Sequence, residues 1–70
     1  MRKNATLPKA LGKRIQKRRK DKGLTQEELA EKIKVSRAYM GFIEQGRNTP
    51  SLEVLEKISK VLNIPLSDLF

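Results

Sequence analysis

The stretch Leu24 to Gly46, LTQEELAEKIKVSRAYMGFIEQG, constrains this chain more than any other. It carries two helix starts with almost no chain between them. Thr25 can cap a helix, Glu28 three residues on completes a capping box, and Leu24 with Leu29 forms a hydrophobic staple. The device recurs in weaker form, with Ser36 as cap and Val35 with Met40 as staple. Gly46 supplies the residue best able to take the left-handed conformation that stops the second helix. Lys34-Val35-Ser36 leaves room only for a tight turn. The spacing predicts helices over about Gln26–Lys34 and Arg37–Gln45, with Leu29, Ala30, Ile33, Val35, Met40 and Ile43 facing one another inside the angle. Such a pair is a helix-turn-helix, and its second helix is a candidate reader of a DNA groove.

The rest of the chain reads as more helix around this pair. Met1 to Thr6 has no periodicity and is expected to be a flexible basic arm (residues 1–6) ahead of a single domain (residues 7–70). Pro8 suits the first turn of a helix running to about Lys22, with Leu11 and Ile15 on its inner side, Leu7 or Ala10 joining them, and Gly23 ending it. The same stripe runs into Arg18 and Arg19, where apolar residues would be expected. After the turn Arg47-Asn48-Thr49-Pro50, Ser51 or Thr49 caps a fourth helix to about Leu62, with Leu52, Leu55, Ile58 and Leu62 inward. Asn63 is the usual substitute for a glycine at a helix end. Ile64-Pro65 then leads into a last turn, Leu66 to Phe70. The expectation is an all-α fold of five compact helices.

Composition narrows the chemistry. Without cysteine there is neither disulfide nor thiolate metal site, which suits a reducing compartment. Without histidine, the usual zinc sites and histidine-activated nucleophiles are absent too. The carboxylates are scattered and no glycine loop cradles phosphate, so catalysis is not expected and neither is a cofactor, metal or small-molecule ligand. No apolar run approaches the roughly 20 residues of a membrane span. The formal charge of +8 is uneven: residues 1–23 hold ten basic residues and one acidic, residues 24–70 six and seven. A field of that sign attracts polyanions, although on composition alone a solvated face that keeps a small protein soluble explains it equally well.

Leu24-Thr25-Gln26-Glu27-Glu28-Leu29-Ala30, Val35-Ser36, Ile43-Glu44-Gln45-Gly46, Pro50-Ser51-Leu52 and the tail Leu62 to Phe70 resemble the Cro and phage-repressor type of helix-turn-helix. The resemblance covers about residues 9–70 in register and without a gap. It implies a five-helix lambda-repressor-like domain, often dimeric, that binds operator DNA in bacteria or their phages, and hence a cytoplasmic, nucleoid-associated protein. Three positions depart from the pattern. Lys34 stands where the turn usually has Gly and is strained if its φ is positive. Arg18 stands at a usually apolar position, where its methylene stem would have to cover the core. Gly41 lies inside a helix, at a cost of about 1 kcal/mol relative to Ala; either something approaches closely there or the surface tolerates drift.

The resemblance also implies roles. The outward side of the third helix holds Ala38, Gly41, Phe42 and Gln45, with Arg37 in its first turn, while Met40, Ile43 and Glu44 face inward. Base contacts are expected from Arg37, with guanine O6 and N7 as its natural partners, and from Ala38, Gly41 and Phe42. Phosphate contacts are expected from Gln26, which opens a helix N-terminus, and from Ser36, Tyr39, Gln45, Arg47, Asn48 and Thr49. Ser36 is first a cap, and Arg2 and Lys3 are first a tail. The family pairs Glu44 with an arginine late in the first helix, here Arg19. Leu66, Leu69 and Phe70 supply apolar area for a homodimer. The sum is a DNA-binding regulator, acting by occupancy of double-stranded DNA. The rival is a protein-interaction module that keeps the fold and uses Phe42 and the apolar C-terminus. A membrane-surface role for the basic first helix has little behind it, because its narrow apolar face is needed by the core.

Overall fold

The computed structural model of the chain describes the backbone of residues 3–70 and the side chains of residues 8–70. Four α-helices, α1 (Lys3–Asp21), α2 (Gln26–Ile33), α3 (Arg37–Gln45) and α4 (Leu52–Leu62), are followed by a single 3₁₀ turn, Leu66–Leu69. The architecture is all-α among the described residues, but the fifth element is one 3₁₀ turn rather than an α-helix. Pro65 fixes its entry, and an element of four residues is too short to offset the cost of nucleating an α-helix.

The capping box at α2 is complete. The Glu28 amide donates to Thr25 Oγ1 at 3.0 Å and the Thr25 amide donates to Glu28 Oε1 at 2.8 Å. Ser36 Oγ accepts from the Tyr39 amide at 3.0 Å, and Ser51 Oγ, rather than Thr49, accepts from the Val54 amide at 3.2 Å. Each such cap is worth about 1 kcal/mol. The C-termini share one device as well. Gly23, Lys34, Gly46 and Asn63 all take positive φ, from 57° to 80°, and each next residue donates its amide back to the carbonyl five positions earlier. Lys34, at φ 64°, therefore occupies the conformation that costs a residue with a Cβ about 1–2 kcal/mol.

The core gathers Leu11 and Ile15 of α1, Leu29, Ala30 and Ile33 of α2, Met40 and Ile43 of α3, Leu55, Ile58 and Leu62 of α4, and Leu69. Several expectations are corrected. α1 begins at Lys3, ahead of Pro8, which lies inside the helix and removes one of its hydrogen bonds; the expected boundary between arm and domain thus falls within α1. Met1 and Arg2 lie outside the described residues, as do the side chains of Lys3 and Leu7. Ala10 is exposed. Leu52 is 60% exposed: it is the first residue of α4, whose core contacts begin with Val54 and Leu55.

Helix α1 crosses α3 at very short range. A Cβ added to Gly12 would lie 2.5 Å from the Ile43 carbonyl oxygen and 2.6 Å from that of Glu44. One added to Gly46 would meet Lys9 Cγ at 2.6 Å and Lys9 Cα at 2.8 Å. Two glycines thus let α1 clamp the C-terminal half of α3.

Candidate nucleic-acid interface

Helix α3 has one locked side and one open side. Met40, Ile43 and Glu44 are buried, whereas Arg37, Ala38, Phe42 and Gln45 are exposed and Gly41 is half-buried. The lock is polar as well as apolar. Arg19 Nε donates to Glu44 Oε2 at 2.7 Å and Arg19 Nη2 donates to Glu44 Oε1 at 3.0 Å, a side-on bidentate pair. The two side chains are 7% and 1% exposed. Arg19 Nη1 also donates to the Leu24 carbonyl at 2.7 Å, and Gln26 Nε2 donates to Glu44 Oε1 at 2.9 Å. No buried side-chain polar atom among the described residues is left without a partner. One carboxylate therefore ties α3 to α1 and to the start of α2, while the same arginine holds the turn between α1 and α2.

Gln26 is the member of this network that the sequence did not reveal. Its place at a helix start leads the sequence reading to expect a phosphate contact; its bond to Glu44 depends on α2 lying across α3. The bond orients the Gln26 amide and leaves its oxygen beside Gly41, 3.8 Å from where a Cβ would sit. Among the described residues Gly41 has no other neighbour that would oppose a methyl group, and none of them calls for glycine there.

Arg37, Gln26, Thr25, Glu27 and Arg19 line, with Gly23 and Leu24, an open cleft of about 460 Å³ at the N-terminus of α2. The unpaired amides of that helix end favour an anion. Arg37 thus stands between the N-terminus of α2 and the open side of α3. Ser36 Oγ accepts the capping bond, and Tyr39 is half-buried against the core. Gln45, Arg47, Asn48 and Thr49 are exposed.

At the far end of α3, the Arg47 guanidinium lies over the Phe42 ring, 5.8 Å from its centroid. The Arg47 amide closes the helix on the Phe42 carbonyl at 2.9 Å. An apolar contact commonly joins these two positions at such an end, and a cation–π contact takes its place here. Leu24, Val35 and Ile64 hold the equivalent position after α1, α2 and α4, and all three pack against the core. Arg47 instead keeps its charge beside the open side of α3.

Arg18 sends Nη2 to Asp68 Oδ2 at 3.4 Å and ties α1 to the 3₁₀ turn. One more expectation changes. Leu69 is fully buried in the core and is removed from the dimer surface; Leu66 is half-buried and Phe70 is 52% exposed. The 3₁₀ turn rotates successive side chains by about 120°, so only part of the apolar tail can face outward.

A helix-turn-helix whose second helix is rigidly held and open on one side defines a class of groove-reading domains. Comparison with known proteins agrees: the helix-turn-helix family model matches residues 15–69, and the chain belongs to that family of transcriptional regulators. It is 46% identical over 57 residues to an uncharacterised HTH-type transcriptional regulator of Archaeoglobus fulgidus, covering 81% of each chain. Among solved structures, the restriction-modification controller protein C.AhdI of Aeromonas hydrophila superposes with a TM-score of 0.89 at 36% identity, over 100% of both chains. SinR, the master regulator for biofilm formation, solved in complex with DNA, gives a TM-score of 0.80 at 42% identity, covering 84% of this chain and 95% of that one. Some curated relatives are longer. The chain spans 40% of the immunity repressor of Bacillus phage phi105 and 54% of SinR from Bacillus subtilis. No helix among the described residues is long and apolar enough to cross a membrane.

Proposed function

We propose that this protein binds double-stranded DNA sequence-specifically, as a homodimer on a palindromic operator, with α3 in the major groove. It then regulates transcription by occupancy, without catalysis and without a cofactor. The observation that carries this reading is the contrast between the two sides of α3. Its inner side is fixed by Met40, Ile43 and the bidentate Arg19–Glu44 pair, while Arg37, Ala38 and Phe42 remain open. A reading helix needs that rigidity, because base contacts discriminate only when donors and acceptors are held in place.

Arg37 is assigned to a guanine edge, Ala38 and Phe42 to thymine methyls, and Gly41 to close approach of the helix backbone. Gln26, Ser36, Tyr39, Gln45, Arg47, Asn48 and Thr49 are assigned to phosphates around them. The solved complex of SinR with DNA supports DNA as the partner. The bacterial and phage relatives favour a cytoplasmic site of action.

Selection of bound sequences from a random duplex pool tests the reading. The expected result is an enriched palindrome whose half-sites lie about one helical turn apart. Failure to enrich any sequence, together with binding insensitive to salt, would instead support a protein-interaction module. For that rival, Phe42 and Phe70 are the exposed aromatic side chains.

A further inference from the structure

Residues 24–70 carry one more acidic than basic residue, yet all four of their lysines line a single groove. Lys32 and Lys34 come from the end of α2 and the turn after it, and Lys57 and Lys60 from α4. The groove is open and holds about 290 Å³; half-buried Val61 is its accessible apolar residue, while Ile33, which also borders it, is buried in the core. Past Val61 it continues into a second opening bordered by Lys22 and Leu24. The glutamates of α2 and α4 do not line it, and none of its lysines is in an ion pair among the described residues. Lys34 reaches its place from a backbone at φ 64°, where glycine would be free of strain.

This groove does not belong to the DNA-facing side. Lys32 follows Gln26 by six positions, so at about 100° per residue it lies about 120° round α2 from Gln26. Gln26 faces α3; Lys32 faces α4.

We propose that the groove docks an acidic protein segment, which inserts one apolar side chain between α2 and α4 and sets carboxylates against the surrounding lysines. Charge and shape argue together for a peptide rather than a second stretch of nucleic acid. A duplex offers phosphates to the lysines, but its apolar groups, the thymine methyls, lie inside the major groove and cannot enter a cleft between two helices to cover Val61. An acidic segment with a leucine or phenylalanine offers both. This use of the fold is independent of α3 and stands whether or not the assignments to bases hold.

The test is an NMR titration of the ¹⁵N-labelled full chain with a synthetic peptide of alternating Asp and Glu around one central Leu. Two other probes accompany it: the same peptide with Ala in place of Leu, and a random DNA duplex. The expected result is saturable binding with amide shifts centred on Ile33, Lys34, Lys57 and Val61, weakened about five- to tenfold for the Ala peptide. A Lys57→Gln, Lys60→Gln double variant, altering two exposed side chains of α4, should bind the Leu peptide about two- to tenfold more weakly, with its melting temperature and the salt slope of duplex binding unchanged. Equal affinity for the Leu and Ala peptides, shifts centred on the open side of α3, or no saturation by about 1 mM would overturn the proposal. So would a duplex salt slope lower by about two in the double variant, which would assign these lysines to phosphates.

Discussion

Gly12 shows how much one missing side chain decides. A methyl group there would press on two backbone carbonyls of α3, which cannot swing aside as a flexible side chain would. Gly12→Ala is expected to cost about 2–3 kcal/mol in urea denaturation, near the top of the range for overpacking. A parental midpoint would mean that α1 and α3 are less tightly crossed than described. Arginines at the two ends of α3 carry a different prediction. Arg37→Ala should cost about 1–3 kcal/mol per half-site on the preferred duplex and relax preference at one base position, with a much smaller loss on random DNA. Arg47→Ala should weaken both duplexes alike and lower the salt slope by about one per half-site. Equal losses on the two duplexes for Arg37→Ala would move that side chain to the phosphate at the start of α2 and leave reading to Ala38 and Phe42.

Between elements, the decisive contact is the Arg19–Glu44 pair, with Gln26 as its third member. Both charged groups are nearly dry, so removing one leaves the other buried and unpaired. Arg19→Ala is expected to destabilise by about 3–5 kcal/mol. Arg19→Met combined with Glu44→Leu should recover much of that, because it removes both desolvation penalties together; the Gln26 amide then loses its acceptor and limits the recovery. Thermal melts of the three proteins decide it, and an Arg19→Ala melting temperature equal to the parent's would show that the pair contributes nothing. In the turn between α2 and α3, Lys34→Gly should relieve about 1 kcal/mol of left-handed strain and raise the denaturation midpoint. A lowered midpoint would mean that the lysine side chain gives back more than its backbone costs.

At the scale of the whole molecule, one domain of this size reaches only a few base pairs, and two copies are expected on DNA. The apolar area proposed for that contact is Phe70 with half-buried Leu66, and Leu52 is a further exposed apolar side chain. Half-sites about 34 Å apart follow from the geometry of the helix-turn-helix. Should a dimer neutralise about 6–10 phosphates, its affinity falls by roughly 10³ to 10⁵ between 50 and 200 mM salt. Sedimentation that finds only monomer, with and without duplex at high protein concentration, would rule out the dimer; a flat salt response would rule out the phosphate contacts.

The sequence alone determined what short-range chemistry can specify. Thr25 with Glu28 and Ser36 mark helix starts, Gly23, Gly46 and Asn63 mark helix ends, and the spacing of Leu29, Ile33, Met40 and Ile43 fixes which faces turn inward. Each signal acts within about two turns of one helix, so it is readable without knowing the neighbours. The Arg19–Glu44 pair was legible only through resemblance, because 25 residues separate its partners. Tertiary structure decided the rest. Gly12 reads in sequence as an ordinary weak point of a helix until α3 is laid across it. The pattern places Leu52 inward and Leu69 at a dimer surface, but packing exposes the first and buries the second. Gln26 finds Glu44, Arg18 finds Asp68, and four dispersed lysines meet at one groove only because helices that are independent in sequence are brought to fixed positions by a shared core.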